Sequence, residues 1–133
     1  MDLYLKTTKG FTTKKETKGE SSQKLQEGSG PIVCRFCGHE ITKAEHIISV
    51  DGAHRHVFTN PAGITFEIGC FSRADGCLLQ GIPTYEHTWF KGYKWNYAHC
   101  MGCLVHLGWF YQGADSGFFG LILDRLMEAF HTQ

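Results

Sequence analysis

The sequence lacks net charge, because 13 Lys and Arg balance 13 Asp and Glu over 133 residues. No global field therefore steers it toward a partner of one sign. It also lacks a basic cluster outside its first stretch. That stretch carries Lys6, Lys9, Lys14, Lys15, Lys18 and Lys24 against Asp2, Glu16, Glu20 and Glu27, which leaves the remainder slightly acidic. Phosphate backbones need clustered Lys and Arg, so nucleic acid is not an expected partner. No apolar segment follows Met1 in the manner of a secretion signal. No run is long enough to span a bilayer. A cytoplasmic protein without a membrane partner is the expectation. At 15.0 kDa the chain has room for one domain.

Residues 1–30 are mostly Lys, Thr, Ser, Glu, Gln and Gly. They offer too little apolar surface to offset the entropy of ordering, and read as a flexible polar leader ending near "EGSGP". From Ile32 onward the chain is aromatic, β-branched and rich in Gly, with "NPAG", "ADG" and "KGY" as turn signals. In "ITFEIGCFS", Ile64, Phe66, Ile68 and Cys70 share one face and Thr65, Glu67 and Gly69 the other. The same alternation groups Tyr93 with Trp95 and Tyr97, and Trp109 with Tyr111. "FFGLILDRLMEAF" reads as a strand through Leu123 followed by at most a short helical turn. The expected class is mostly β, as two small antiparallel sheets. The domain should occupy 31–126, with 127–133 as a C-terminal tail.

Six cysteines are present, and four fall in "CRFC" (Cys34, Cys37) and "CMGC" (Cys100, Cys103). Without a secretion signal, two Cys-x-x-Cys pairs favour a reduced metal site over disulfides. Each pair closes a tight turn whose two thiolates reach one ion at roughly 2.3 Å, and two turns complete a tetrahedral shell around one Zn²⁺. Four thiolates leave no open position for a reacting water, so the ion would be structural. The long gap between the pairs implies that a body of strands folds between them, with the ion as a staple. Gly38 and Gly102 suit the sharp turns; His39 and His99 lie close to ligands and could substitute in a mixed shell, but the expectation is that they stand just outside it or exposed. Cys70 alternates with apolar residues and reads as a buried thiol, while Cys77 has no evident base beside it.

All three tryptophans, Trp89, Trp95 and Trp109, lie between residues 86 and 111, around the second cysteine pair. A lone Trp in a β domain is ordinarily core. Here the segment holds few aliphatic partners, and a rigid metal knuckle interrupts it. An aromatic box and ordinary core packing both remain open from spacing alone.

From about Cys34 to Leu126, the ordered motifs "HVFTNPAG", "HTWFKGYKW", "HCMGC" and "HLGW" resemble the thalidomide-binding CULT domain of the cereblon family, in its stand-alone bacterial form. The resemblance implies a β-tent, two antiparallel sheets pinned by a four-cysteine zinc site. It implies a ligand pocket of Trp89, Trp95 and Trp109 closed by Tyr111. Asn60, Pro61 and Phe66 would rim it, and Thr88 would sit in the same loop. His87 and Trp89 would offer backbone groups to an imide edge. The implied ligands are cyclic imides: glutarimides, succinimides, uracil- or uridine-like rings, and C-terminal cyclic imides of damaged proteins. The implied role is binding, not catalysis. Lys91 departs from the proline of "WFPGY" in animal members. The domain through which cereblon reaches a ubiquitin-ligase adaptor is not expected in this chain. Two alternatives stand beside this reading. One is a methylated-ammonium reader working by cation–π attraction. The other is a zinc-bearing methionine sulfoxide reductase acting through Cys70 or Cys77.

Overall fold

The computed structural model describes residues 30–129, so nearly all of the expected leader and residues 130–133 lie outside the described residues. Nine strands follow in order: β1 (Pro31–Cys34), β2 (Glu40–Lys43), β3 (Arg55–Thr59), β4 (Thr65–Phe71), β5 (Cys77–Thr84), β6 (Lys94–Cys100), β7 (His106–Gln112), β8 (Gly117–Ile122) and β9 (Leu126–Glu128). They form a three-stranded sheet, β2-β1-β9, and a six-stranded sheet, β3-β4-β8-β7-β6-β5. Every pairing is antiparallel. The protein is mostly β, with two antiparallel sheets and the four knuckle cysteines clustered, as the sequence implies. Among the described residues no helix is long and apolar enough to cross a membrane.

The ambiguous C-terminal stretch becomes strand through Ile122, a single 3-10 turn over Leu123–Arg125, and then β9. β9 leaves the large sheet and pairs with β1, placing Val33 opposite Met127 and Ile32 opposite Glu128. Strand pairing therefore continues to Glu128, two residues past the expected boundary. The first and last strands of the domain are neighbours, and only a long-range pairing brings them together.

Period-two alternation, reset within β7 by the register shift opposite Ala98/His99, sorts the large sheet into two apolar faces. On one face Phe71, Ala98, Leu107 and Leu121 pack with Ile32, Cys34, Ile41 and Leu126 of the small sheet. On the other, Ile68, Cys70, Trp109, Tyr111, Phe118 and Ile122 pack with Phe90. Burying each large side chain contributes about 1.5–3 kcal/mol, so the first layer holds the two sheets together, while the second seats the Phe90 loop on the large sheet. Gly120 matters for the second face. A Cβ there would meet Ile68 Cδ1 and Tyr111 Cε2, each at 3.0 Å. Its absence lets the Tyr111 ring lie close over β8.

Candidate functional site

The two cysteine pairs fold alike. The N–H of Gly38 donates to the Cys34 carbonyl at 2.9 Å, and that of Leu104 to the Cys100 carbonyl at 2.8 Å. Each turn is then closed by a second bond, Cys34 N–H to the His39 carbonyl and Cys100 N–H to the Val105 carbonyl. Gly38 and Leu104, each one residue past the second cysteine, have φ of 80° and 68°. That left-handed turn suits Gly38 and strains Leu104. Gly102 serves differently. It leaves room for His39 and the Cys37 sulfur, which a Cβ would approach to 3.0 and 3.2 Å.

The four sulfurs lie within 4.8 Å of one another. The close pairs cross between knuckles, Cys34 to Cys103 at 3.8 Å and Cys37 to Cys100 at 3.6 Å. A tetrahedron with metal–sulfur bonds near 2.3 Å has sulfur–sulfur edges of about 3.8 Å. The donor set therefore fits one tetrahedral thiophilic ion, and the cysteines form a candidate metal site. Burial pushes the Cys34 thiol up to about 12. Burial acts on Cys100 too, but N–H groups of Cys103 and Gly102 outweigh it and bring that thiol below its ordinary value. A cation is what would let all four ionise together.

Roughly opposite the small sheet, the second face of the large sheet opens into a cavity of about 350 Å³. Of the sequence-predicted ligand residues, Asn60, Pro61, Phe66, His87, Trp89, Trp95, Trp109 and Tyr111 line it. Thr88 does not line it. Its hydroxyl turns inward and donates to the Tyr93 carbonyl at 2.8 Å, bracing the loop. Tyr97 and His106 line the cavity without having been singled out. Tyr97 shares the parity of Trp95 and was within reach of alternation. His106 was not, because it stands three residues from Trp109. A register shift at Ala98/His99 brings both rings to one side, 4.9 Å apart.

The three indoles play different parts. Trp109 is buried and meets Trp89 edge-on at 5.0 Å and Phe66 at 5.4 Å. It is core as much as wall, and its truncation would open a void costing about 3–5 kcal/mol. Trp89 stacks on Phe58 at 4.8 Å. Trp95 donates its indole N–H to the Glu86 carbonyl at 2.8 Å, so its polar edge is engaged by the chain itself. That bond anchors the loop before Trp89. Within it His87 has φ of 59°, and the Thr88 N–H donates to the Tyr85 carbonyl. The turn that follows is closed by Tyr93 N–H to the Phe90 carbonyl, with Gly92 at φ 90°. Lys91 occupies the second position of this type II-like turn, where proline is favoured but not required. Asn60 uses its side-chain oxygen to accept the N–H groups of Ala62 and Ile64, shaping the β3–β4 loop at the rim.

No carboxylate lines the cavity among the described residues. Glu86, the nearest acid in sequence, points to solvent beside His87. Burial pushes the thiols of Cys70 and Cys77 up to about 12, with Asp51 and Cys100 adding to it respectively. Both therefore stay protonated thiols at pH 7, not reactive thiolates.

A cysteine-clamped pair of antiparallel sheets carrying an aromatic cavity defines the class. The chain is similar to cereblon of Gallus gallus, 32% identical over 109 residues, which is 74% of this chain and 24% of that protein. Cereblon of Danio rerio is 30% identical over 103 residues, 72% of this chain and 24% of its own length. Cereblon of Drosophila grimshawi is 29% identical over 97 residues, 66% of this chain and 14% of its own. No family model matches the chain. This chain carries a cereblon-like CULT domain, and it spans about a quarter of the length of the vertebrate relatives just named.

Proposed function

We propose that the domain is a zinc-stapled binding module whose cavity holds flat, neutral cyclic imides. The observation that carries this reading is a cavity of about 350 Å³ that no Asp, Glu, Lys or Arg among the described residues lines, with all three indoles in its wall. An imide edge alternates acceptor, donor, acceptor, and its CH₂ back is apolar. In the loop at its rim, none of the backbone hydrogen bonds among the described residues takes the His87 carbonyl or the Trp89 N–H. A carbonyl and an N–H two residues apart answer the imide N–H and one imide carbonyl without a charged side chain. The His87 side chain is exposed, which favours backbone recognition over imidazole recognition. Packing the ring against aromatic walls contributes a few kcal/mol at about 25 cal/mol per Å². After the costs of association, affinity on the order of micromolar follows. The closed set of four thiolates suits Zn²⁺ in a structural role. Among the described residues neither a cysteine nor a carboxylate lines the cavity, which supports a binding role for it.

Titration of Trp fluorescence with glutarimide, succinimide, uridine and a trimethyl-lysine peptide tests this. Saturable quenching by the imides, with the peptide weaker, is expected. Preference for the trimethyl-lysine peptide would replace the imide reading with a cation cage. Thiol-dependent reduction of a methionine sulfoxide peptide would replace it with a reductase.

A further inference from the structure

A guanidinium stands just behind one wall of the cavity. Arg125 belongs to the single turn between β8 and β9. Its guanidinium carbon lies over the Phe66 ring, 5.9 Å from the centroid, and its Nη1 donates to the His106 carbonyl at 2.7 Å. Phe66 and His106 line the cavity, whereas Arg125 does not. Phe66 in turn meets Trp89 at 6.2 Å and Trp109 at 5.4 Å. A single ring therefore links the charge to two of the three indoles.

No nearby acid cancels that charge. Among the described residues no carboxylate forms an ion pair with Arg125. Glu67, on the same strand as Phe66, is taken by Arg55 at 2.9 Å. Glu86, beside His87 in the loop at the rim, is exposed to solvent and screened by it. Arg125 is partly buried, so its field is screened less, and a guanidinium keeps its proton at any pH the fold survives. Its reach shows at His106. Burial holds that ring below its ordinary pKa against the Gly108 bond, and the Arg125 charge adds to the effect.

Indole faces by themselves attract cations, and a cage of three with a carboxylate behind it would suit a quaternary ammonium. Here a cation occupies that place and already covers the Phe66 ring. A second positive charge in the cavity would be repelled, and a negative one drawn in. We propose, resting on the imide reading of the cavity, that Arg125 is a specificity-determining residue. Acting through Phe66 and His106, it turns the aromatic cage away from cations and favours imides bearing an acid over imides bearing an amine.

Three probes of similar size test this by calorimetry on the full chain near neutral pH: 3-ethylglutarimide, cationic 3-(aminomethyl)glutarimide and anionic glutarimide-3-acetate. A unit charge about 10 Å away, at an effective dielectric between those of a protein surface and water, changes affinity about fourfold. Arg125→Gln should therefore tighten the amine about fourfold, weaken the acetate about fourfold and leave the ethyl compound unchanged. Arg125→Lys, which keeps the charge, should keep the wild-type order. If all three affinities move together, Arg125 merely props the wall and the proposal is overturned, as it is if none moves. The wild type gives a second reading that needs no variant to fold. Raising salt from about 0.02 M to about 0.5 M should lower the acetate-to-amine affinity ratio, and a ratio that stays level or rises overturns the proposal. If 3-ethylglutarimide and glutarimide itself both fail to bind the wild type, the imide reading fails and this inference with it. If they bind and charge makes no difference, the role of Arg125 alone fails.

Discussion

Removing the metal should cost this domain a large share of its stability, and the structure indicates how much. The sulfur contacts between knuckles link residues 69 and 63 positions apart. A cross-link closing a loop of that length removes about 4 kcal/mol of denatured-state entropy. Folded domains hold only about 5–15 kcal/mol in all. The clamp is more than a loop closure. Cys34 ends β1 of the small sheet, and Cys100 ends β6 of the large one, so an ion held by these cysteines would tie the two sheets at one end of their shared core. For a domain of this size each kcal/mol moves the melting temperature by about 4–8 °C. Chelation or Cys34→Ser should therefore lower it by about 15–30 °C or leave the chain unfolded. The assay is thermal unfolding by circular dichroism, with metal content measured before and after chelation. A metal-free protein that kept its melting temperature and its sheet signal would refute the argument.

Two further outcomes follow from single residues. Burial holds the His54 imidazole below its ordinary pKa against the opposing pull of the Ile48 and Cys70 carbonyls, so the unfolded chain binds its proton more readily than the folded one. Its contribution is therefore full above about pH 6.5 and is lost as pH falls through the depressed folded value. The urea midpoint should decline from pH 7 to pH 5, and His54→Leu should flatten that slope; an equal slope in the variant would refute the assignment. Trp95→Phe deletes the N–H that holds the Glu86 carbonyl at 2.8 Å. Hydrogen exchange at the Thr88 amide should quicken about fivefold, matching roughly 1 kcal/mol for one neutral hydrogen bond, and imide affinity should fall with it; unchanged exchange would show that the bond does not hold the loop.

The parts of this protein legible in the sequence are those decided by neighbours in the chain. A Cys-x-x-Cys turn closes on itself within a few residues, so the knuckles and their thiolates are local chemistry. Alternation in strands is equally local, and it grouped Trp109 with Tyr111, and Tyr93 with Trp95 and Tyr97; all but Tyr93, which precedes β6, line the cavity. What pairs with what is not local. The apparent shortage of aliphatic partners around the indoles is met from elsewhere, by Ile68 of β4 and Ile122 of β8, in the shared apolar face. β9 read as a tail because its neighbour, β1, lies at the other end of the domain. His106 reached the cavity through a register shift that no periodicity encodes. The resemblance puts Thr88 in the ligand loop and Trp95 in the pocket wall, yet the folded loop engages the polar group of each. Side-chain type and turn chemistry are properties of a short segment. Which wall a ring joins depends on strands that meet only when the whole chain has folded, and there the tertiary structure alone decided.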